Sequence, residues 1–177
     1  MDKNKKQILI VCRGNILRSP FAEVIIKRRI YKENLQDRFS VISRGIQGTK
    51  IDPIPVRFQN VTFYKNIFPL AKKSLDKYSI DLSHHISKPI KLLDVANSSV
   101  ILAMDDNILE SLQKLFQKHL IKMCKFSEII GNQKIDFNDP EKLKSEDDYE
   151  VVFENIYTTI QVGFSNLMGL ANPTKKL

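Results

Sequence analysis

The chain has 177 residues, 42% hydrophobic and 27% charged, with 28 Lys+Arg against 20 Asp+Glu for a net charge of +8. That length and balance fit a single globular domain with a sizeable core and exclude a disordered or fibrous chain. Apolar runs are far short of a membrane span, basic residues are not interleaved with aromatics as in a nucleic-acid groove, and two cysteines cannot build a disulfide framework.

The expectation is therefore one cytoplasmic domain over residues 1–177, with no membrane insertion and no nucleic-acid partner. Residues 1–6 are basic, but the four apolar residues behind them are too few for a signal-peptide core. The positive charge reads first as a lysine-rich solvated surface; it is also compatible with acidic, phosphorylated partners.

Residues 8–11 (Ile-Leu-Ile-Val) predict a strand buried on both faces of a parallel sheet. The strand runs into Cys12, and five residues then separate Cys12 from Arg18. Ser19 and Pro20 read as the cap and first-turn proline of a helix over 20–31. Strand, short Gly14-Asn15 loop and helix N-terminus form an anion cradle, in which backbone N–H groups and the helix dipole favour negative charge. Gly14 and Asn15 supply the left-handed backbone such a nest needs. A cysteine there, beside an arginine, is expected to ionise easily and act as a nucleophile. Arg18 in the first turn opposes the dipole, so an anionic partner explains it better than a solvated surface does.

Residues 39–43 alternate as a second strand ending at Arg44-Gly45, which makes a βαβ unit with parallel strands. Residues 46–66, with Gly48, Pro53 and Pro55, predict a long irregular excursion. A helix over 70–78, a turn-rich link over 79–87 carrying His84-His85, and a short helix or turn over 89–93 follow. A third strand over 98–104, an amphipathic helix over 106–119 and a short fourth strand over 123–126 come next. A polar loop over 131–145 holds Asp139-Pro140, a long helix closes the chain over 147–168 despite Gly163, and 172–177 form a loose tail. The pattern is α/β: a three-layer sandwich with a central, mainly parallel four-stranded sheet and helices on both faces.

The string Val-Cys-x-Gly-Asn-Ile-x-Arg-Ser-Pro over residues 11–20 resembles the low-molecular-weight protein tyrosine phosphatases. Further landmarks appear in the family's order: Ser43-Arg44-Gly45, the 78–88 segment with His85, the 100–105 strand end, Asp139-Pro140 and the 147–154 helix start. The resemblance implies hydrolysis of a phosphotyrosine-containing protein substrate through a cysteinyl-phosphate, without metal or cofactor. It implies Cys12 as nucleophile, and phosphate binding by Arg13, Gly14, Asn15, Ile16, Leu17, Arg18 and Ser19. Asp139 is implied as general acid; local sequence alone reads it as a turn former. Ser43 and His85 are implied as supports of Asn15, with Ser19 steadying the thiolate.

Of three departures from the family pattern, the first concerns protection of Cys12 from oxidation and the other two concern recognition. Leu17 stands where many relatives have a second cysteine, and Glu141 where many have tyrosine. The excursion lacks the usual aromatic wall, for which Phe58, Phe63 and Tyr64 are the candidates. Competing readings are arsenate reduction, which lacks its further cysteines near residues 103–106, and phosphoarginine hydrolysis, where relatives carry threonine in place of Ile16. A non-catalytic phosphate-binding module would have no need of Cys12, Arg18 and Asp139 together.

Overall fold

The computed structural model describes residues 5–131, 135, 137 and 139–172. The strands β1 (Lys6–Cys12), β2 (Phe39–Gly45), β3 (Ser98–Ala103) and β4 (Met123–Lys125) form one sheet in the order β2-β1-β3-β4, with every pairing parallel. The helices are α1 (Arg18–Lys32), α2 (Phe68–Lys77), α3 (Leu92–Asn97), α4 (Asp106–Leu115) and α5 (Glu146–Ala171).

Strand alternation sorts the core into two layers. Ile8, Ile10 and Cys12 of β1 pack with Phe21 and Ile26 of α1, Leu75 of α2 and Phe153 and Ile156 of α5. Leu9 and Val11 point the other way, onto Val95 of α3 and Ile108 and Leu112 of α4. Helices therefore cover both faces, and β1 is buried on both from Gln7 to Cys12, as its unbroken apolar run requires. Because β2 and β3 flank β1 on opposite sides, the chain reverses direction across the sheet between β1 and β3. The crevice at the carboxyl ends of those two strands is where such folds place their ligands.

Several element ends differ from the sequence expectation. Helix α1 starts at Arg18, and its cap position is Leu17, which makes no side-chain capping bond. Ser19 thus lies inside the first turn and does not cap the helix. Helix α4 stops at Leu115, and residues Gln117–Lys122 tighten into a 3-10 stretch with none of them buried. Its residues are at most half-buried, too little packing to carry the helix further on propensity alone. Helix α3 begins later than expected because the backbone at Pro89 and Ile90 bridges to Gly45 at the end of β2.

The closing helix α5 is 26 residues long and opens with a reciprocal Ser145/Asp148 capping box. Gly163 is required by space: a Cβ there would stand 2.6 Å from Ile129 Cγ1 and 2.8 Å from the Ile129 carbonyl oxygen. The helix backbone packs directly on the Phe126–Ile130 turn, where the Asn166 side-chain amide also donates to Ile129 O at 2.9 Å.

The 46–66 excursion carries a 3-10 turn, Val61–Phe63, capped by Asn60. The Asn60 amide donates to His85 O at 3.0 Å, and Ser87 N donates to Gln59 O at 2.8 Å. These bonds fasten the excursion to the histidine-bearing link beside the β1 loop. Of the predicted tail, Asn172 caps α5, and 173–177 lie outside the described residues.

Candidate active site

Strand β1 delivers Cys12 to the crevice, 3% exposed and at the floor of the loop leading into α1. The Cys12 sulfur lies 3.0 Å from Ser19 Oγ, and Asn15 N donates to it at 3.2 Å. Asn15 adopts a left-handed backbone with φ 54°, and its carboxamide crosslinks the loop from within. Its Nδ2 donates to Ser19 Oγ at 3.1 Å and Ser43 Oγ at 2.8 Å, while its Oδ1 accepts from Lys88 N at 3.0 Å.

The His85 imidazole sits 2.9 Å from Asn15 O, and Ser87 Oγ donates to Gly14 O at 2.6 Å. Burial lowers the His85 pKa more than its bond to the Asn15 carbonyl raises it, so the ring is neutral near pH 7 and Nε2–H is the donor. Ser43 and His85 therefore both contact Asn15, one at its side chain and one at its carbonyl.

Gly14 does not have positive φ; a Cβ there would stand 3.0 Å from Gln47 Oε1, the movable end of a side chain, so the position is snug but not closed to a side chain. Gly45 at the end of β2 is tighter still, with Arg13 O at 2.7 Å from where its Cβ would be. The loop thus lies flat on the neighbouring strand. Among the described residues, the backbone N–H groups of Gly14, Ile16 and Leu17 have no protein acceptor, and all three residues line the cleft. They are donors left over for an anion.

Arg18 is 2% exposed, and its guanidinium is spoken for on one edge. Nη1 donates to Asp105 Oδ2 and to Phe137 O, both at 2.8 Å, and Nη2 donates to Asp139 Oδ2 at 2.5 Å. Among the described residues nothing accepts from Nε or from the second Nη2 hydrogen, which leaves a two-pronged edge matched to phosphoryl oxygens. Burial works to lower the Arg18 pKa, but the charges of Cys12, Asp139 and Asp105 outweigh it and raise it above the ordinary arginine value. The cation is permanent.

Asp139 reaches this site from far along the chain. It caps the 3-10 turn Pro140–Lys142, with Oδ1 accepting from Glu141 N at 3.2 Å. Tyr149 of α5 steadies the same turn by donating its hydroxyl to Pro140 O at 3.1 Å. Burial, with the charges of Asp139 and Asp148 behind it, pushes the Tyr149 phenol up to about 12, so it stays a donor. Glu141 and Arg13 pair at 2.6 Å, and Arg13 Nε also meets Asp52 Oδ2 at 3.2 Å. Burial lowers the Arg13 pKa less than the hydrogen bond to Asp52 and the nearby carboxylates raise it.

One cleft is lined by Cys12, Arg13, Gly14, Ile16, Leu17, Arg18 and Asp139 together with Gln47, Tyr64, Ile67, Pro140 and Glu141. Asn15, Ser19, Ser43 and His85 support it from behind. Of the three aromatic candidates only Tyr64 lines the cleft; Phe58 stacks between Tyr64 and Phe63 with ring centroids at 5.4 Å and 5.9 Å. The sequence reading missed Asp105, which caps α4 through Ile108 N and holds Arg18 with its other oxygen. An aspartate ending a strand just before a helix, beside the crevice, was the available signal.

A family model for "Low molecular weight phosphotyrosine protein phosphatase" matches residues 7–176. The low molecular weight phosphotyrosine protein phosphatase of Homo sapiens is 30% identical over 161 residues, covering 88% of this chain and 89% of that protein. Among solved structures, a YwlE mutant from Bacillus subtilis superposes with a TM-score of 0.74 at 23% identity, covering 93% of this chain and 99% of that one. A protein tyrosine phosphatase from Entamoeba histolytica gives 0.71 at 22% identity, covering 93% and 95%. The cradle built around Cys12 and Arg18 thus sits in a fold and sequence shared with known hydrolases, and the chain belongs to the low molecular weight phosphotyrosine protein phosphatase family.

Proposed function

We propose that the protein hydrolyses phosphotyrosine in phosphoprotein substrates, and aryl phosphates generally, through a cysteinyl-phosphate intermediate. The observation that carries this reading is the convergence of Cys12, the open edge of Arg18 and Asp139 on one cleft. The Cys12 sulfur attacks phosphorus, and Arg18 with the loop N–H groups gathers the equatorial oxygens. The P–O bond to the aryl group breaks, its electron pair passes to the phenolic oxygen, and Asp139 gives that oxygen a proton. Water then attacks the phosphocysteine, returning its proton to Asp139. The sulfur leaves as thiolate, stabilised by the Ser19 hydroxyl and Asn15 N–H. Ile16 at the cleft lining favours an aryl ester over phosphoarginine. The two free cysteines suit a reducing compartment, which we take to be the cytoplasm.

The direct test is hydrolysis of p-nitrophenyl phosphate and of a phosphotyrosyl peptide, with phosphoarginine as comparator and a chelator present throughout. Turnover of the aryl esters, undiminished by chelation and competitively inhibited by phosphate, is expected. Loss of activity on chelation, restored by a divalent ion, counts against the scheme.

Oxidation gives a second expected result. Cys124 on β4 pairs in register with Leu102, and Leu102 with Ile10, so two strands' spacing separates Cys124 from β1. That is ~10 Å, beyond the reach of a disulfide, and Leu17 offers no neighbouring thiol. Burial also pushes the Cys124 thiol up to about 12, keeping it unreactive. Peroxide-treated protein should pass to irreversible sulfur acids at Cys12, with little activity regained on adding a thiol. Full recovery, with a Cys12–Cys124 bridge seen by mass spectrometry, is the contrary outcome.

A further inference from the structure

We propose that Arg13 is a positioning residue for the general acid: its guanidinium clamps Glu141 and Asp52 and so keeps the Asp139–Pro140 turn over the phosphate cradle. The proposal rests on the reading of Asp139 as general acid. Three segments remote in sequence meet at this one side chain. Arg13 follows the nucleophile directly; Asp52, at 3.2 Å, belongs to the excursion; Glu141, at 2.6 Å, belongs to the acid's own turn. Glu141 N is itself bonded to the Asp139 carboxylate at 3.2 Å, and Lys142 N to Asp139 O at 2.8 Å. A force on the Glu141 side chain is therefore delivered to Asp139 within one turn of backbone.

Among the described residues, three side chains anchor the turn: Arg18 on Asp139, Tyr149 on Pro140 and Arg13 on Glu141. A substrate phosphoryl group competes for the first of them. Its oxygens are drawn to the Arg18 guanidinium, and Asp139 has to turn from Arg18 Nη2 toward the leaving oxygen. From that moment, among the described residues, Tyr149 and Arg13 are the side chains left holding the turn, so the clamp matters most during the step in which the acid works. Misplacement by a fraction of an ångström is enough to weaken proton transfer.

The alternative role for Arg13 is simple attraction of the anionic substrate. That would act on every phosphate ester alike and mainly through KM. A positioning role instead scales with how badly the leaving group needs a proton. The side chains of Arg13 and Glu141 are 40% and 62% exposed, so their pairing is screened by water and weakened by salt.

The experiment measures kcat and KM for phenyl phosphate and dinitrophenyl phosphate at low and high salt. The proteins compared are wild type, Glu141→Gln, Arg13→Gln, Arg13→Lys and Asp139→Asn. Glu141→Gln should lower kcat on phenyl phosphate about fivefold, the ceiling for an exposed ion pair, with dinitrophenyl phosphate unaffected. Arg13→Gln should show the same selective loss of kcat on phenyl phosphate beside a rise in KM shared by both esters, Arg13→Lys should retain most of the rate, and wild type but not Glu141→Gln should lose phenyl phosphate turnover selectively at high salt. Equal effects on both esters in Glu141→Gln, or none, overturn the clamp; if Asp139→Asn remains selective for phenyl phosphate, the acid assignment survives that result. An Asp139→Asn variant that is itself unselective overturns both.

Discussion

Cys12→Ser is expected to lower kcat by about 10³-fold or more on every aryl phosphate while the cradle still binds phosphate-like anions. At ~1.4 kcal/mol per decade, that loss asks one atom for about 4 kcal/mol of transition-state stabilisation. The demand is reasonable because the reaction depends on a sulfur that is both a strong nucleophile and a good leaving group. Among the described residues, Sγ makes hydrogen bonds with the Ser19 hydroxyl and Asn15 N–H, and neither is a base able to take a proton from a serine. A serine at this place would be a poor nucleophile and, once phosphorylated, a poor leaving group. Arg18 is held by Asp105 and Phe137 O independently of residue 12, and the loop is braced by Asn15, Ser43 and His85. The anion site should therefore survive. Turnover measured beside calorimetric binding of phosphate separates the two properties; a variant that keeps wild-type turnover removes Cys12 from the chemistry.

Asp139→Asn should cost about 10² to 10⁴ in kcat for phenyl phosphate and far less for dinitrophenyl phosphate. A phenolic oxygen has a conjugate-acid pKa near ~10 and leaves poorly without a proton, whereas a dinitrophenolate is already a stable anion. Asparagine keeps the shape of the cap on the Pro140–Lys142 turn but has no proton to give and no charge for Arg18 Nη2. Rates across a series of substituted phenyl phosphates should fall more steeply with leaving-group basicity in the variant than in wild type. Equal slopes would dismiss Asp139. The next acids in the sequence are less well placed: Asp148 accepts from Lys144 N and Ser145 N, bonds that hold its carboxyl below the usual range. Asp147 sits beside it in the exposed first turn of α5, and Asp136 lies outside the described residues.

Much of this molecule was legible from local pattern. The apolar run ending at Cys12, the Gly14-Asn15 loop and the apolar periodicities placed the strands, the helices and the cradle, because alternation, helical period and turn chemistry are properties of neighbouring residues. Asp139 was legible only by resemblance, since an Asp-Pro pair by itself describes a turn. Other features depended on contacts between distant segments. Ser19 reads as a cap and instead faces the sulfur, because α1 begins two residues earlier than expected, at Arg18. Gly163 reads as a weakness in a helix and is the place where α5 meets the Ile129 backbone. Arg18 reads as an open anion ligand, yet Asp105 and Asp139, 87 and 121 residues away, already hold part of its guanidinium. Glu141 reads as a lost aromatic wall and becomes one end of an ion pair whose other end is 128 residues distant. Local sequence sets what each segment prefers to be, but which charge meets which is decided only when the sheet order brings the carboxyl ends of β1 and β3 together and burial forces each polar group to find a partner.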